Sequence, residues 1–96
     1  MLFVVTAIDK DNSLALRLAT REAHFAYARA TGVIRLGGPF LDAQDDMAGS
    51  LMIFEAADLD AARAWHANDP YVKAGLFARS DVRPWKMTFN GCDARL

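Results

Sequence analysis

Two segments of this chain carry apolar residues at consecutive positions, and they constrain the fold more than any other feature of the sequence. In Leu2–Ile8 and Leu51–Phe54, apolar residues occupy both the odd and the even positions, which point to opposite faces of a β-strand. Both segments are short and rich in β-branched or large apolar residues, which favours a strand over a helix. A strand that is apolar on both faces must be covered on both faces.

The predicted elements follow the order β-α-β-β-α-β, which is typical of a ferredoxin-like α+β domain. Periodicity and turn residues predict strands at Leu2–Ile8, Val33–Leu36, Gly49–Glu55 and Asp81–Phe89, and helices at Ser13–Ala30 and Asp58–Ala67. In this topology both helices cover one face of an antiparallel sheet. The last strand lies at an edge, which agrees with the presence of Pro84. We therefore expect a single domain over residues 1–96.

Small and polar residues mark the expected ends of these elements. The first helix is predicted to end before Gly32 and to begin at a cap formed by Asp11, Asn12 or Ser13. Gly37-Gly38-Pro39 is predicted to break or bend the second strand. Asn68-Asp69-Pro70 is expected to stop the second helix, and Tyr71–Leu76 to form a turn or an extra helical turn.

The sheet face opposite the helices needs a cover that the predicted elements do not supply. Hydrophobic residues make up 53% of the 96 residues, although a domain of this size buries only a limited fraction of its surface. A second copy of the chain is the simplest cover. The sequence therefore predicts a homodimer with this sheet face buried between the subunits.

Charge and residue content exclude several functional classes. The formal net charge is −1 and the 11 basic residues are scattered, so no nucleic-acid-binding surface is expected. No apolar run reaches the roughly 18 residues of a membrane span, and the N-terminus lacks the features of a signal peptide. Cys92 is the single cysteine, and neither a metal-ligand cluster nor a Gly-rich phosphate loop occurs. We expect a cytoplasmic protein without a metal or cofactor.

Three polar residues share one side of the first predicted helix. Arg17, Arg21 and His24 stand at i, i+4 and i+7, next to an expected core-facing apolar stripe of Leu14, Leu18, Phe25 and Ala28. One interpretation is a partly buried histidine with basic neighbours, suited to acid–base work on an anionic or hydroxylated molecule. The other is a solvated face whose arginine stems cover the core.

Asp69 also fits two interpretations. A sequence such as Asn68-Asp69-Pro70-Tyr71 is ordinary helix-stop and turn chemistry. Alternatively, the carboxylate approaches His24 and fixes one tautomer of its imidazole, which sequence spacing does not decide. In the same way, Gly37-Gly38-Pro39 either opens a ligand pocket or bends a strand, and Ser50 either points a hydroxyl into a cleft or forms a turn.

Over nearly its whole length, the chain resembles the YciI-like family. The residues that carry the resemblance are Met1–Val5, Asp9-Lys10, Ser13-Leu14, Arg17-Leu18, Arg21-Glu22-x-His24, Gly38-Pro39, Gly49-Ser50, Ala64-Trp65, Asp69-Pro70-Tyr71-Val72, Ala74-Gly75 and Val82-Arg83-Pro84. No single motif among them is specific. Their order and spacing within a chain of 96 residues are fairly specific.

The resemblance implies a dimeric α+β barrel, in which the sheets of two ferredoxin-like subunits pack face to face. It also implies a histidine–aspartate pair in a cleft, which corresponds to His24 and Asp69 in this sequence. The residues expected to contact a substrate are Arg17, Arg21, Gly38, Pro39, Ser50 and Tyr71. A characterised activity in the family is the dehydrochlorination of a chlorinated hydroxyhydroquinone.

We therefore expect a cofactor-independent enzyme, similar to a lyase or dehydrohalogenase, that acts on a small aromatic or polar molecule. His24 moves a proton, Asp69 orients it, and Arg21 or Arg17 holds developing negative charge. The alternative is a non-catalytic dimeric module that binds a small ligand or a partner. The Gly38–Gly49 loop is short and the chain has an additional tail at 90–96, and both affect the rim of any cleft, so the family's substrate cannot be carried over to this sequence.

Overall fold

Four antiparallel strands form one sheet, in the order β2-β3-β1-β4. The computed structural model describes all 96 residues. Its elements are β1 (Leu2–Asp9), α1 (Leu14–Thr31), β2 (Ile34–Leu41), β3 (Met47–Glu55), α2 (Leu59–Ala67), α3 (Pro70–Lys73) and β4 (Phe77–Pro84). The helices lie on one face of the sheet, which confirms the predicted ferredoxin-like α+β fold.

The central strands β1 and β3 supply the sheet side of the hydrophobic core. Phe3 pairs with Phe54 and Val5 pairs with Met52, and all four side chains are buried. On the helix side, the indole of Trp65 in α2 stacks on Phe54 with ring centroids 4.4 Å apart. Each large apolar side chain buried here stabilises the fold by about 1.5–3 kcal/mol. This packing fixes α2, and with it the segment that carries Asp69.

The opposite sheet face carries the second apolar set of β1 and β3. Val4 pairs with Ile53 on this face, and the neighbouring Ile8 is 36% exposed. Leu36 of β2 is 46% exposed. No helix packs on this side of the sheet. This face is apolar and partly exposed, as expected of a surface that binds a second copy of the chain. The homodimer stays a prediction.

The structure corrects the predicted end of β2, which runs through Gly37-Gly38-Pro39 to Leu41. β2 is an edge strand that pairs with β3 alone. Pro39 can therefore direct its missing N–H toward the unpaired side, where the strand loses no ladder hydrogen bond. The irregularity that the glycines and the proline suggested appears instead as register shifts after Ile34 and Phe40.

The prediction for β4 was wrong by four residues at the start and five at the end, because the strand spans Phe77–Pro84 rather than Asp81–Phe89. β4 is an edge strand as predicted. Its pairing ends at Phe3 and Pro84, followed by one hydrogen bond from the Trp85 N–H to the Leu2 carbonyl. β1 begins at Leu2, so the alternating apolar residues after Trp85 lie opposite no residue of that strand.

The predicted orientation of α1 also needs correction. Its buried residues are Arg17 and His24, whereas Leu18 is 50% exposed and Phe25 is 39% exposed. Successive residues advance about 100° around a helix, so Phe25 and His24 face different directions. The inward face of α1 therefore carries Arg17 and His24 beside the half-buried Tyr27 and Ala28, and Leu18 and Phe25 are more exposed than predicted.

The predicted helix ends are confirmed where they depend on local chemistry. The Asp58 carboxylate accepts a hydrogen bond from the Ala61 N–H at 2.8 Å and caps α2. Gly32 follows α1 with a φ of 64°, a left-handed conformation that favours glycine. Ser13 is the N-cap residue of α1 but makes no side-chain capping bond. None of the helices has both the length and the apolar content that crossing a membrane requires.

Candidate active site

A cavity of about 330 Å³ lies between α1 and the strands β2 and β3. All the residues expected to contact a substrate line it, namely Arg17, Arg21, Gly38, Pro39, Ser50 and Tyr71. His24 lines the same cavity, and Asp69 contacts the His24 ring from behind. The fold therefore brings together side chains from α1, β2, β3 and the segment around α3.

His24 and Asp69 form a hydrogen-bonded pair although they are 45 residues apart in the sequence. The Nδ1 atom of His24 lies 2.9 Å from Oδ1 and 3.1 Å from Oδ2 of Asp69. The Asp69 side chain is fully buried, and its Oδ1 also accepts the Tyr71 N–H at 2.9 Å as the cap of α3. The same carboxylate thus caps α3 and pairs with His24.

This pairing sets the chemistry of the imidazole. A carboxylate only accepts hydrogen bonds, so Nδ1 of His24 carries a proton and donates it to Asp69. In the neutral ring the lone pair is then on Nε2. That nitrogen makes no hydrogen bond within the protein, and the ring lines the cavity. An imidazole in this form can accept a proton from a molecule bound in the cavity.

The Tyr71 ring holds the imidazole in place. It stacks on His24 with centroids 4.3 Å apart and an interplanar angle of 18°. The guanidinium carbon of Arg17 lies 4.7 Å from the centroid of the Tyr71 ring. Burial raises the pKa of the Tyr71 hydroxyl, and the nearby Arg17 and Arg21 charges offset this shift only in part. Tyr71 is therefore a neutral phenol at physiological pH.

Arg17 is a buried cation whose charge is already balanced. Its guanidinium donates two hydrogen bonds to the Asp9 carboxylate, at 2.8 and 2.9 Å, and one to the Ser50 hydroxyl at 2.8 Å. Burial opposes the charge, but the hydrogen bonds and charge of Asp9 outweigh it and raise the pKa of Arg17. The Asp9–Arg17–Ser50 group forms a rigid polar end wall.

Two other arginines at the cavity have no ion-pair partner. Arg21 and Arg29 are exposed, and neither forms a salt bridge, while the Arg21 guanidinium carbon lies 5.3 Å from the centroid of the Phe25 ring. The sequence prediction included Arg21 but missed Arg29. It also missed Asp9, although its alternation with Ala7 along β1 was a signal that its side chain points toward the helices.

The glycines of β2 serve different purposes. A Cβ atom at Gly37 would lie 3.0 Å from the Leu51 carbonyl oxygen and 3.3 Å from Cγ of Met52, so glycine permits close pairing with β3. Gly38 alternates with Gly37, so a Cβ there would point to the opposite face of the sheet, where it would meet nothing within 4 Å. The apolar part of the wall includes Ile34, Met47 and Met52, none of which was identified from the sequence.

The second histidine lies outside this cavity. The Nε2 atom of His66 is 2.9 Å from the Ser80 hydroxyl, while its Nδ1 is buried without a partner. Its ring stacks on Phe77 with centroids 6.0 Å apart. Burial lowers the pKa of His66, and the charge of Asp69 offsets this shift only in part. No group of three or more His, Cys, Asp or Glu side chains is placed to bind a metal ion.

Comparisons with known proteins agree with this fold and extend over nearly the whole chain. The family of the YCII-related domain matches residues 1–86. Protein YciI of Escherichia coli O6:H1 is 40% identical over 98 residues, which cover 93% of this chain and 100% of that protein. A protein of Haemophilus influenzae is 37% identical with the same coverage.

Solved structures include one strong match at the level of sequence. It is 5-chloro-2-hydroxyhydroquinone dehydrochlorinase from Burkholderia phenoliruptrix AC1100 in complex with 2,5-dihydroxybenzoquinone, with 39% identity, a TM-score of 0.85 and coverage of 92% of this chain and 96% of that chain. SnoaB, a cofactor-independent oxygenase from Streptomyces nogalater, has a TM-score of 0.59 at 14% identity over 91% of this chain and 94% of that one, and shares the fold alone. With the domain match and the identity to YciI, these findings show that this chain belongs to the YCII-related, YciI-like family.

Proposed function

We propose that this chain is a cofactor-independent lyase that eliminates a proton and a leaving group from a small hydroxylated ring. The observation that carries the proposal is the different environment of the two ring nitrogens of His24. Its Nδ1 is paired with the buried Asp69, and its Nε2 is free beside the cavity. A base held in this way has the geometry needed to accept a proton from a bound hydroxyl group. The likeness to a dehydrochlorinase supports elimination as the reaction class.

The first step of the proposed reaction is proton transfer within a halogenated hydroquinone. His24 Nε2 accepts the proton of one ring hydroxyl, and the electron pair of that O–H bond forms a carbonyl. The ring carbon that bears the halide takes up the proton from the imidazolium, so a new C–H bond forms. Arg21 stabilises the negative charge that develops on oxygen.

The second step releases the halide. The remaining hydroxyl loses its proton, its electron pair forms the second carbonyl, and the carbon–halogen bond breaks with its electron pair leaving on the halide. One halide ion and one proton are released for each quinone formed. The ring needs no external oxidant, because the departing halide takes the electron pair that oxidation would otherwise remove.

The cavity supports a ligand of this kind. Apolar side chains of Ile34, Met47 and Met52 are available to the faces of a ring, while cationic and hydroxyl groups surround its polar edge. Tyr71 and Asp69 restrict the imidazole to one orientation, which lowers the cost of bringing base and substrate together. In this account Asp69 is a positioning residue, since it acts through His24.

The test is to incubate the purified chain with 5-chloro-2-hydroxyhydroquinone and measure chloride and quinone together. The proposal predicts equal amounts of both products without an added cofactor, and no enzymatic release by the His24→Ala variant. A folded wild-type chain that releases no chloride above that variant contradicts the proposal for this substrate. Calorimetric binding without turnover would instead favour a non-catalytic ligand-binding module, the alternative function.

The proposal includes a homodimer that forms through the helix-free face of the sheet. Ile8 and Leu36 expose apolar surface there, and a stable interface buries more than about 1,000 Å² in total. Analytical ultracentrifugation at micromolar concentration should give the mass of two chains, and a monomer would exclude this part of the proposal. We place the dimer in the cytoplasm, where an exposed thiol such as that of Cys92 stays reduced.

A further inference from the structure

The distribution of charge along the cavity narrows the class of ligand. We infer that the ligand is a hydroxylated aromatic carboxylate, whose carboxylate group is bound by Arg29 and whose hydroxylated edge faces His24. This inference rests on the proposed function in taking the ligand to be a hydroxylated ring. It adds a second anionic group to that ring and a residue that recognises it.

The first support is the balance of charges at the cavity. The positive charge of Arg17 is neutralised by Asp9, and the Asp69 carboxylate is engaged by His24 and by the cap of α3. Arg21 and Arg29 have no carboxylate partner. Two guanidinium groups therefore remain available to a ligand, while a single ring oxygen that loses its proton beside His24 engages only one of them.

The position of Arg29 separates it from the reacting end. Arg29 lies five residues after His24 on α1, which places the two Cα atoms about 7.5 Å apart along the helix axis. The wall between them includes Phe25 and Ala28 of α1, and Ile34 of β2 also lines the cavity. An aromatic ring can occupy this apolar stretch, with its hydroxyl group at His24 and its carboxylate at Arg29.

Arg21 has a different position and a different partner. It precedes His24 by three residues, so it lies on the Arg17 side of the dyad, and its guanidinium is over the Phe25 ring. From there it is placed to hold charge on the reacting oxygen. Arg29, by contrast, stands in the last turn of α1, where a cation also complements the helix dipole. A purely structural Arg29 would stabilise the helix but would not discriminate between ligands.

The experiment compares two ligands of nearly the same shape, one anionic and one neutral. The probes are 2,5-dihydroxybenzoate and 2,5-dihydroxybenzamide, and their dissociation constants are measured by calorimetry with the whole chain. The wild type should bind the carboxylate about tenfold more tightly than the amide, as a charge-assisted contact predicts. In the Arg29→Gln variant this ratio should fall close to one, with little change in binding of the amide.

The matched control is Arg63→Gln, which removes one positive charge from an exposed position on α2 away from the cavity. This variant should keep the wild-type ratio, because a general change of net charge is screened by salt. Equal binding of the two probes by the wild type, or an unchanged ratio in Arg29→Gln, would overturn the inference. The result is independent of turnover: His24→Ala should lose elimination and keep the carboxylate preference, so failure of the proposed reaction and failure of this inference are distinguishable.

Discussion

The two histidines of this chain are buried to nearly the same extent but have different surroundings. His24 is 8% exposed and His66 is 6% exposed. His24 pairs one nitrogen with a buried carboxylate and leaves the other beside a cavity, whereas His66 pairs one nitrogen with a serine hydroxyl and encloses the other without a partner. Burial alone therefore does not distinguish the two histidines, whereas the partners of their ring nitrogens do.

The difference follows from the elements that each ring contacts. His24 faces α3, whose N-cap carboxylate is fixed by the backbone, so an acceptor is present before any ligand binds. A positive charge on His24 has a counter-ion 2.9 Å away. His66 lies between α2 and β4, against Phe77, and an Nδ1 proton there would have no acceptor. A positive charge on the first ring has a counter-ion, whereas burial disfavours a positive charge on the second and lowers its pKa.

The largest expected effect comes from removing the charge of Asp69 while keeping its shape. In Asp69→Asn the amide oxygen can still accept the Tyr71 N–H, but the amide N–H₂ faces Nδ1 and favours the tautomer with a proton on Nε2. His24 then has no lone pair toward the cavity. We expect kcat/KM for chloride elimination from 5-chloro-2-hydroxyhydroquinone to fall by about 10²- to 10⁴-fold.

Asp58→Asn is the matched control for this substitution. Asp58 caps α2 in the same way but has no histidine partner, so its variant should keep activity within a factor of about two, since capping by asparagine is nearly equivalent. Comparable losses of activity in the two variants would mean that Asp69 acts only through the fold. Thermal unfolding of both variants provides the necessary measure of stability.

A smaller effect is expected at His66, and it concerns stability rather than activity. Burial lowers the pKa of His66 below the ordinary value of 6.5, so the unfolded chain binds a proton more readily than the folded chain. The free energy of unfolding should therefore decrease as the pH falls below 6.5, until the folded-state pKa is passed. Chemical denaturation at a series of pH values measures this directly.

His66→Phe removes the titrating group and keeps an aromatic ring against Phe77. The difference in unfolding free energy between the wild type and this variant should change with pH below 6.5, while elimination at neutral pH stays the same. A pH-independent difference would show that His66 is not the group whose protonation is opposed by burial. Loss of elimination activity in the variant would show that His66 also contributes to activity, contrary to this account.

The sequence predicted the fold where local patterns determine it. The two apolar faces of β1 and β3, the Asp58 cap and the glycine after α1 each depend on residues close together in the chain. The end of β4 was not predictable in this way, since it depends on where β1 begins. The continuity of β2 through Pro39 depends likewise on its position at the edge of the sheet.

In the candidate site, too, local patterns predicted some features, and contacts between distant residues determined the others. Sequence and resemblance identified seven of the 14 residues that line the cavity, but they placed Leu18 and Phe25 toward the core. Apolar spacing favoured Leu18 and Phe25, whereas Arg17 and His24 are buried because Asp9 and Asp69 satisfy them. Those partners come from β1 and from the turn before α3. Helical spacing placed Arg17 and His24 on one side of α1, but their burial depends on partners that are distant in the sequence.

The most direct test of the account is the activity of His24→Asn beside that of the wild type. The asparagine Nδ2 can donate to Asp69 much as Nδ1 of histidine does, so the buried carboxylate keeps a partner while the group corresponding to Nε2 is lost. We predict a folded protein that still binds 2,5-dihydroxybenzoate. Its kcat/KM for chloride release from 5-chloro-2-hydroxyhydroquinone should be reduced by at least about 10²-fold. Chloride release within a few-fold of the wild type would show that His24 is not the base.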